Sequence, residues 1–300
     1  MTYLKKIIVL FTAVFIVFII INVVIAQTLP VASDVSIDSG AASVTLTEGT
    51  TKNVVCTATI TDVDGCEEIT GVSAVFYRTN VSGGAGAADD NNDHYSISCI
   101  VDGGTCTGGE DTDANYTCTF PVYYYADPTD AGSYEATDWT CQVTPSDGVG
   151  PGTAATDVIE MASLAALDVD NTINYGELAL GADTDSSNQQ TTVTNRGNVQ
   201  IDVTLDGYGS SDGDGKSMTC DWGAVVIGNE EYSGSAFTYG AGTDLTDSAF
   251  ELDLDVTQQT NDVSPSTKEV YWGFGLPESG VYGSCGGTVI FTAVNDIGND

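Results

Sequence analysis

Asn53-Val-Val-Cys-Thr-Ala-Thr-Ile60 decides the fold class: Val54, Cys56, Ala58 and Ile60 alternate with Asn53, Val55, Thr57 and Thr59. Successive side chains of a strand point to opposite faces, so this alternation describes a ribbon with one apolar and one wet side. The same period of two recurs where Val199, Ile201, Val203 and Leu205 alternate with Gln200, Asp202 and Thr204. It returns where Phe250, Leu252, Leu254 and Val256 alternate with Glu251, Asp253 and Asp255. Asp62-Val-Asp-Gly65, Asn195-Arg-Gly-Asn198, Gly213-Asp-Gly215 and Pro277-Glu-Ser-Gly280 supply turn chemistry between such runs. Ala154 to Leu167 is the one stretch with helical potential, but Gly150-Pro-Gly152 before it and Asp168-Val-Asp-Asn171 after it offer no convincing caps. It reads as a last strand followed by a linker. The expected class is all-β, built of half-buried antiparallel strands.

Upstream of these strands, Lys5 and Lys6 precede an apolar run from Ile7 to Ile21 broken by Thr12, and Val24-Ile25-Ala26 supplies small residues suited to signal peptidase. Residues 1–26 therefore read as a secretory signal. An uncleaved anchor is the competing reading, because Ile7 to Ala26 is about long enough to span a bilayer. Both readings place the folded part outside the cytoplasm, secreted or at the cell surface, and any membrane contact is confined to this segment if it is retained.

The chain carries 43 Asp and Glu against 7 Lys and Arg, a formal net charge of −36. Such a surface repels nucleic acid and anionic lipid, which excludes basic-patch functions. Charged residues are nevertheless only 17% and apolar ones 42%, so this is no disordered acidic tail. Eight cysteines in an exported chain point to disulfides rather than metal or redox chemistry. Cys56, Cys66, Cys99, Cys106, Cys118 and Cys141 fall in the first half, and Cys220 and Cys285 in the second. That even partition suggests two separately crosslinked domains, residues 29–161 and 162–300. Cys99 and Cys106 flank a Gly-Gly turn and are placed to close a hairpin, which leaves Cys66 for Cys118; pairing Cys66 with Cys99 is the alternative.

In the first domain, Val54-Val-Cys-Thr-Ala58, Asp130-Ala-Gly-Ser-Tyr134 and Asp138-Trp-Thr-Cys-Gln-Val143 resemble the B and F strands of an immunoglobulin-like domain. An insertion separates Tyr134 from Cys141, and Phe76 and Tyr77 stand where a strand C tryptophan is expected. The resemblance implies a sandwich crossed by a Cys56–Cys141 bond. It supports an architecture and not a function.

The second domain opens with Thr172-Ile-Asn-Tyr-Gly-Glu-Leu-Ala-Leu-Gly-Ala-Asp183 and runs through Thr194-Asn-Arg-Gly-Asn198 into Val199–Leu205. It closes on Gly286-Gly-Thr-Val-Ile-Phe-Thr-Ala-Val294. This order resembles β-sandwich modules of bacterial and archaeal surface proteins, among them fibre subunits of the camelysin and TasA type. The resemblance implies a non-enzymatic subunit that assembles by strand exchange. Leu29 to Asp38, once freed by cleavage, is a candidate donor, although packing within its own domain is the leading expectation.

Candidate chemistry is sparse. Gly209-Ser-Ser-Asp-Gly213 matches G-x-S-x-G, but that motif needs a strand-to-helix turn and a nearby histidine base, and Asp-Gly-Lys follows it here. His94, the sole histidine, lies in Asp89-Asp-Asn-Asn-Asp-His-Tyr95 and reads as a solvated loop residue. Asp111 and Asp113 begin a D-x-D-x-N run, and Asp62 and Asp64 sit close together in another turn. An EF-hand is excluded by Tyr116 and Val122 at its sixth and twelfth positions, leaving a looser two-loop calcium site or ordinary turns. Asn80 and Asn115 head glycosylation sequons. Tyr123-Tyr-Tyr125, with Phe120 and Trp139, reads as core or interface packing, with a sugar platform as the alternative.

The expected function is a non-enzymatic structural or adhesion protein of the cell surface, without a cofactor, acting through strand edges and loops on other surface proteins or on itself. The alternative is a secreted carbohydrate- or calcium-binding module, with glycans as partners.

Overall fold

The computed structural model describes residues 27–170, 172–262 and 264–296. The signal or anchor at residues 1–26 lies outside them. Among the described residues every regular element is a strand or a single 3-10 turn, and no helix is long and apolar enough to cross a membrane.

The first half holds β1 (Val31–Ile37), β2 (Ser43–Val44), β3 (Thr51–Thr61), β4 (Gly71–Arg78), β5 (His94–Ser98), β6 (Ile100–Val101), β7 (Asp113–Tyr123), β8 (Trp139–Ser146) and β9 (Ala155–Met161). They form two sheets, ordered β1-β3-β7-β6 and β2-β9-β8-β4-β5. All pairs are antiparallel except β2 on β9. The two sheets are consistent with a β-sandwich in which β3 and β8 take the places that strands B and F hold in an immunoglobulin-like domain. Val54, Cys56, Ala58 and Ile60 are all buried, as their alternation requires. The expected last strand over 154–167 is β9, followed by an irregular link.

The centre of this sandwich is aromatic. Phe76 from β4 packs on Trp139 from β8 at 4.8 Å and on Phe120 from β7 at 5.5 Å. The tryptophan missing from strand C is thus supplied by strand F. Full burial of such a side chain contributes roughly 1.5–3 kcal/mol.

The second half holds β10 (Leu167–Val169), β11 (Gln189–Asn195), β12 (Ile201–Tyr208), β13 (Lys216–Trp222), β14 (Ala224–Val226), β15 (Glu230–Ser233), β16 (Thr243–Asp244), β17 (Phe250–Val256), β18 (Thr267–Phe274), β19 (Tyr282–Gly286) and β20 (Thr288–Asn295). A five-stranded sheet, β10-β11-β18-β15-β16, faces a three-stranded sheet, β17-β12-β20. Ile201, Val203 and Leu205 of β12 meet Val193, Val270 and Trp272 in one core. A further sheet, β14-β13-β19, closes a smaller cluster around Val225, Phe274 and Val281. The architecture is all-β and consistent with tandem sandwiches.

The halves are joined by polar contacts as well as chain. Asn198 Nδ2 donates to the carbonyls of Ala126 at 3.0 Å and Ala162 at 3.1 Å, and its Oδ1 accepts from Leu164 N at 2.6 Å. Tyr124 and Tyr125 donate their hydroxyls to Gln259 and Asp262. Asn195-Arg-Gly-Asn198 is therefore more than a turn: its last residue ties the linker to both halves.

Candidate functional site

The four disulfides are Cys56–Cys141, Cys66–Cys106, Cys99–Cys118 and Cys220–Cys285. The first crosses the sandwich between β3 and β8, and the last joins register partners on β13 and β19. The middle two correct the sequence reading, which paired Cys99 with Cys106 and Cys66 with Cys118, or Cys66 with Cys99. The reason is topological. Cys99 lies where the chain leaves β5 in one sheet for β6 in the other, and β6 pairs with β7 beside Cys118. Cys106, beyond the Gly103-Gly104 turn, then meets Cys66 in the 3-10 turn Cys66–Glu68.

His94 also differs from expectation. It is buried on β5, stacked on Tyr77 at 6.0 Å, with Nδ1 2.8 Å from Asp89 Oδ1. Ser211 sits in the loop between β12 and β13, where Asp214 accepts from the backbone amides of Gly209, Ser210 and Lys216. Desolvation opposes ionisation of Asp214, but these amides win and hold its carboxyl well below the usual range. The G-x-S-x-G match is a carboxylate-pinned loop rather than a strand-to-helix turn.

The calcium candidates lie on adjoining loops: Asp62 N donates to Thr112 O at 2.8 Å and Cys66 N to Asp111 O at 2.9 Å. Each carboxylate accepts from a different partner. Asp62 Oδ1 accepts from Asp64 N, Asp64 Oδ2 accepts from Thr28, and Asp113 Oδ1 accepts from the Thr61 hydroxyl. Asp111 accepts from the Thr107 amide and then its hydroxyl, which lower its carboxyl below the ordinary value. Among the described residues, the acidic trio whose oxygens approach one another is Asp202, Asp253 and Asp255. There Asp202 Oδ1 is committed to the amides of Leu254 at 2.7 Å and Asp255 at 2.9 Å, pinning an irregularity in the β12–β17 register.

The Tyr123-Tyr-Tyr125 run packs at the junction of the halves, with Tyr124 and Tyr125 buried, and Phe120 and Trp139 belong to the core. Beside it, Arg78 is buried with Asp127, its Nε donating at 2.8 Å, while its guanidinium lies 3.8 Å from the centre of the Tyr134 ring. Asn92 at 2.6 Å and Gln258 at 3.0 Å complete the partners of Asp127 Oδ1. Arg78 reaches Asp93 more loosely at 3.3 Å. Burial and then the Asp90 carboxyl push Asp93 up to about 6 despite that cation. The shorter contact makes Asp127 the principal partner.

What the sequence did not single out is an exposed aromatic pair. Trp222 and Tyr282 are register partners on β13 and β19, 56% and 64% exposed, with rings 5.6 Å apart and 18° from parallel. Cys220–Cys285 locks the neighbouring register position. Gly223 and Gly283 have positive φ, and a Cβ would strike the Gly280 carbonyl and the Asp221 carboxylate respectively. Asp221 Oδ2 in turn accepts from Ser284 N at 2.9 Å. The ends of both strands are thereby fixed around two rings left largely exposed among the described residues, at the β19 edge of the sheet. A spacing of aromatics on separate strands, 60 residues apart, is invisible without knowing which strands pair.

No protein-family profile matches this chain, and no curated protein is significantly similar to it. Among solved structures, it is similar to the CsuC–CsuE chaperone–tip adhesion subunit complex of the Csu pili of Acinetobacter baumannii. That likeness has 11% identity over 84% of this chain and 96% of that one, with a TM-score of 0.35. Red sea bream transglutaminase matches at 12% identity over 88% of this chain and 29% of that one, TM-score 0.24. The secreted serine protease VesC of Vibrio cholerae matches at 9% identity over 85% and 49%, TM-score 0.20. Scores this low carry no inference about activity.

Proposed function

We propose that the chain is an exported, non-enzymatic structural or adhesion protein of the cell surface, working through exposed strand edges and loops. The carrying observation is the Trp222–Tyr282 pair, held at a sheet edge by an adjacent disulfide. Exposed paired aromatics cost solubility unless a partner covers them, and aromatic residues are enriched where proteins meet. Four disulfides suit an oxidising compartment, where a scaffold must persist without reduction. The acidic surface opposes unspecific edge pairing.

Strand exchange by the N-terminal segment gains no support, since β1 is paired with β3 of its own chain. The test is adhesion of beads coated with the oxidised protein, to one another and to cells of the source. Trp222→Ser with Tyr282→Ser should cut adhesion at least tenfold with unchanged unfolding temperature. Full adhesion by the double variant would overturn the proposal. A glycan array run on the same pair separates the carbohydrate-binding alternative, for which retention of a specific sugar by the wild type alone is the signature.

A further inference from the structure

Glu230 opens β15 and is 2% exposed, yet none of the ion pairs among the described residues includes it. Tyr175 donates its hydroxyl to Oε1 at 2.7 Å and stacks its ring on Phe274 at 4.9 Å. A carboxylate buried with only a neutral donor is poorly compensated. It also lines a cleft of about 540 Å³ whose apolar walls are Val169, Ile173, Met218, Val289 and Phe291. Asp170 is the other charged group of the lining, and no Lys, Arg or His contributes to it. Exposed Thr172, Gly286 and Thr288 lie at its margin.

We propose that this cleft binds a small organic ammonium ion, with the apolar body between Ile173, Met218 and Phe291 and the ammonium against Glu230. Its volume falls in the range of small-molecule sites. Anions are rejected by Glu230 and Asp170. A divalent metal would need several oxygen ligands where the walls offer carbon. A neutral apolar guest would leave the carboxyl no better satisfied, whereas an ammonium supplies both charge and N–H donors. The strand-edge reading of function is independent of this site.

Binding is coupled to a proton. Burial pushes Glu230 up to about 7, with the Tyr175 hydroxyl opposing. Tyr175, Asp170 and the backbone of β18 face it, and none is a cation. The ammonium therefore displaces a proton at acidic pH, so affinity should fall about tenfold per pH unit below 7 and level off above it.

The experiment is titration of the intact oxidised protein with benzylammonium, which stays protonated from pH 5 to 8, and with benzyl alcohol as its neutral match. The proposal expects saturable benzylammonium binding at pH 8, at least tenfold weaker binding at pH 6, and at least tenfold weaker binding of the alcohol. Glu230→Gln, which keeps an acceptor for Tyr175, should abolish the preference for the cation. Absence of saturation at millimolar benzylammonium, equal affinity for the alcohol, or undiminished cation preference in E230Q would each overturn it. The pH and alcohol comparisons need no variant, so they decide the matter even where E230Q fails to fold.

Discussion

Cys56 and Cys118 stand directly opposite one another on β3 and β7, both fully buried, and they are not bonded to each other. Cys56 crosses to Cys141 in the facing sheet, while Cys118 takes Cys99 from the crossover. Two covalent links thus lie in one layer of the core, where Ile37 N of β1 also donates to Asp157 Oδ2 of β9 across the two sheets at 3.0 Å.

The two links should differ in worth. Cys56–Cys141 spans 85 residues and Cys99–Cys118 only 19. Restriction of the unfolded chain then gives about 4.6 and about 3.2 kcal/mol. Paired replacement by alanine, followed by urea unfolding, should cost more for the first pair. A larger loss from the Cys99/Cys118 variant would contradict this.

Arg78→Ala should destabilise the first half by about 3–5 kcal/mol, because it strands the buried Asp127 carboxylate. Burial already raises that carboxyl despite Asn92 and Arg78. Adding Asp127→Asn should recover part of the loss. A single variant within 1 kcal/mol of wild type, on the order expected of a surface pair, would show the network to be solvent-screened.

Glu230 makes stability depend on pH in the opposite sense to an ordinary surface acid. Its carboxyl titrates at about 7 when folded and at 4.5 unfolded. Below 4.5 both states hold the proton and the group contributes nothing to the slope. Between 4.5 and 7 the unfolded chain releases it first, so stability falls as pH rises, by on the order of 3 kcal/mol in total. Glu230→Gln should remove that slope and be the more stable protein at pH 8. Parallel curves for the two proteins between pH 4.5 and 8 would contradict the burial argument.

The two sequons are not equivalent. Asn80 is exposed in a turn with φ +71°. Asn115 lies within β7, accepts from Thr59 at 3.1 Å, and its sequon partner Thr117 donates to Asp102 at 2.8 Å. Expressed in a host that attaches N-glycans, the protein should carry one at Asn80 and not at Asn115. Glycopeptide mass spectrometry reads this directly.

The all-β class was legible in the sequence because period-two alternation is a local property, and Val54 to Ile60 or Val199 to Leu205 needed no tertiary knowledge. Cys56–Cys141 was legible through the immunoglobulin resemblance. The other first-half bonds were not, since they depend on where the chain changes sheets, and a Gly-Gly turn near Cys106 looks the same in a hairpin and in a crossover loop. His94 misled for a similar reason: its neighbours in sequence are Asp and Asn, and the strand pairing that buries it adds Tyr77 and Ala85 to Asp89 around its ring. Trp222, Tyr282 and Glu230 went unnoticed because their significance lies in what the fold leaves uncovered or seals in, which no local pattern encodes.

A β scaffold pinned by oxidised sulfur is tested most directly by non-reducing peptide mapping of the purified protein. It predicts crosslinked peptides joining Cys56 to Cys141, Cys66 to Cys106, Cys99 to Cys118 and Cys220 to Cys285, with no titratable thiol. A Cys99–Cys106 or Cys66–Cys118 peptide, or free thiols in the folded product, would contradict it.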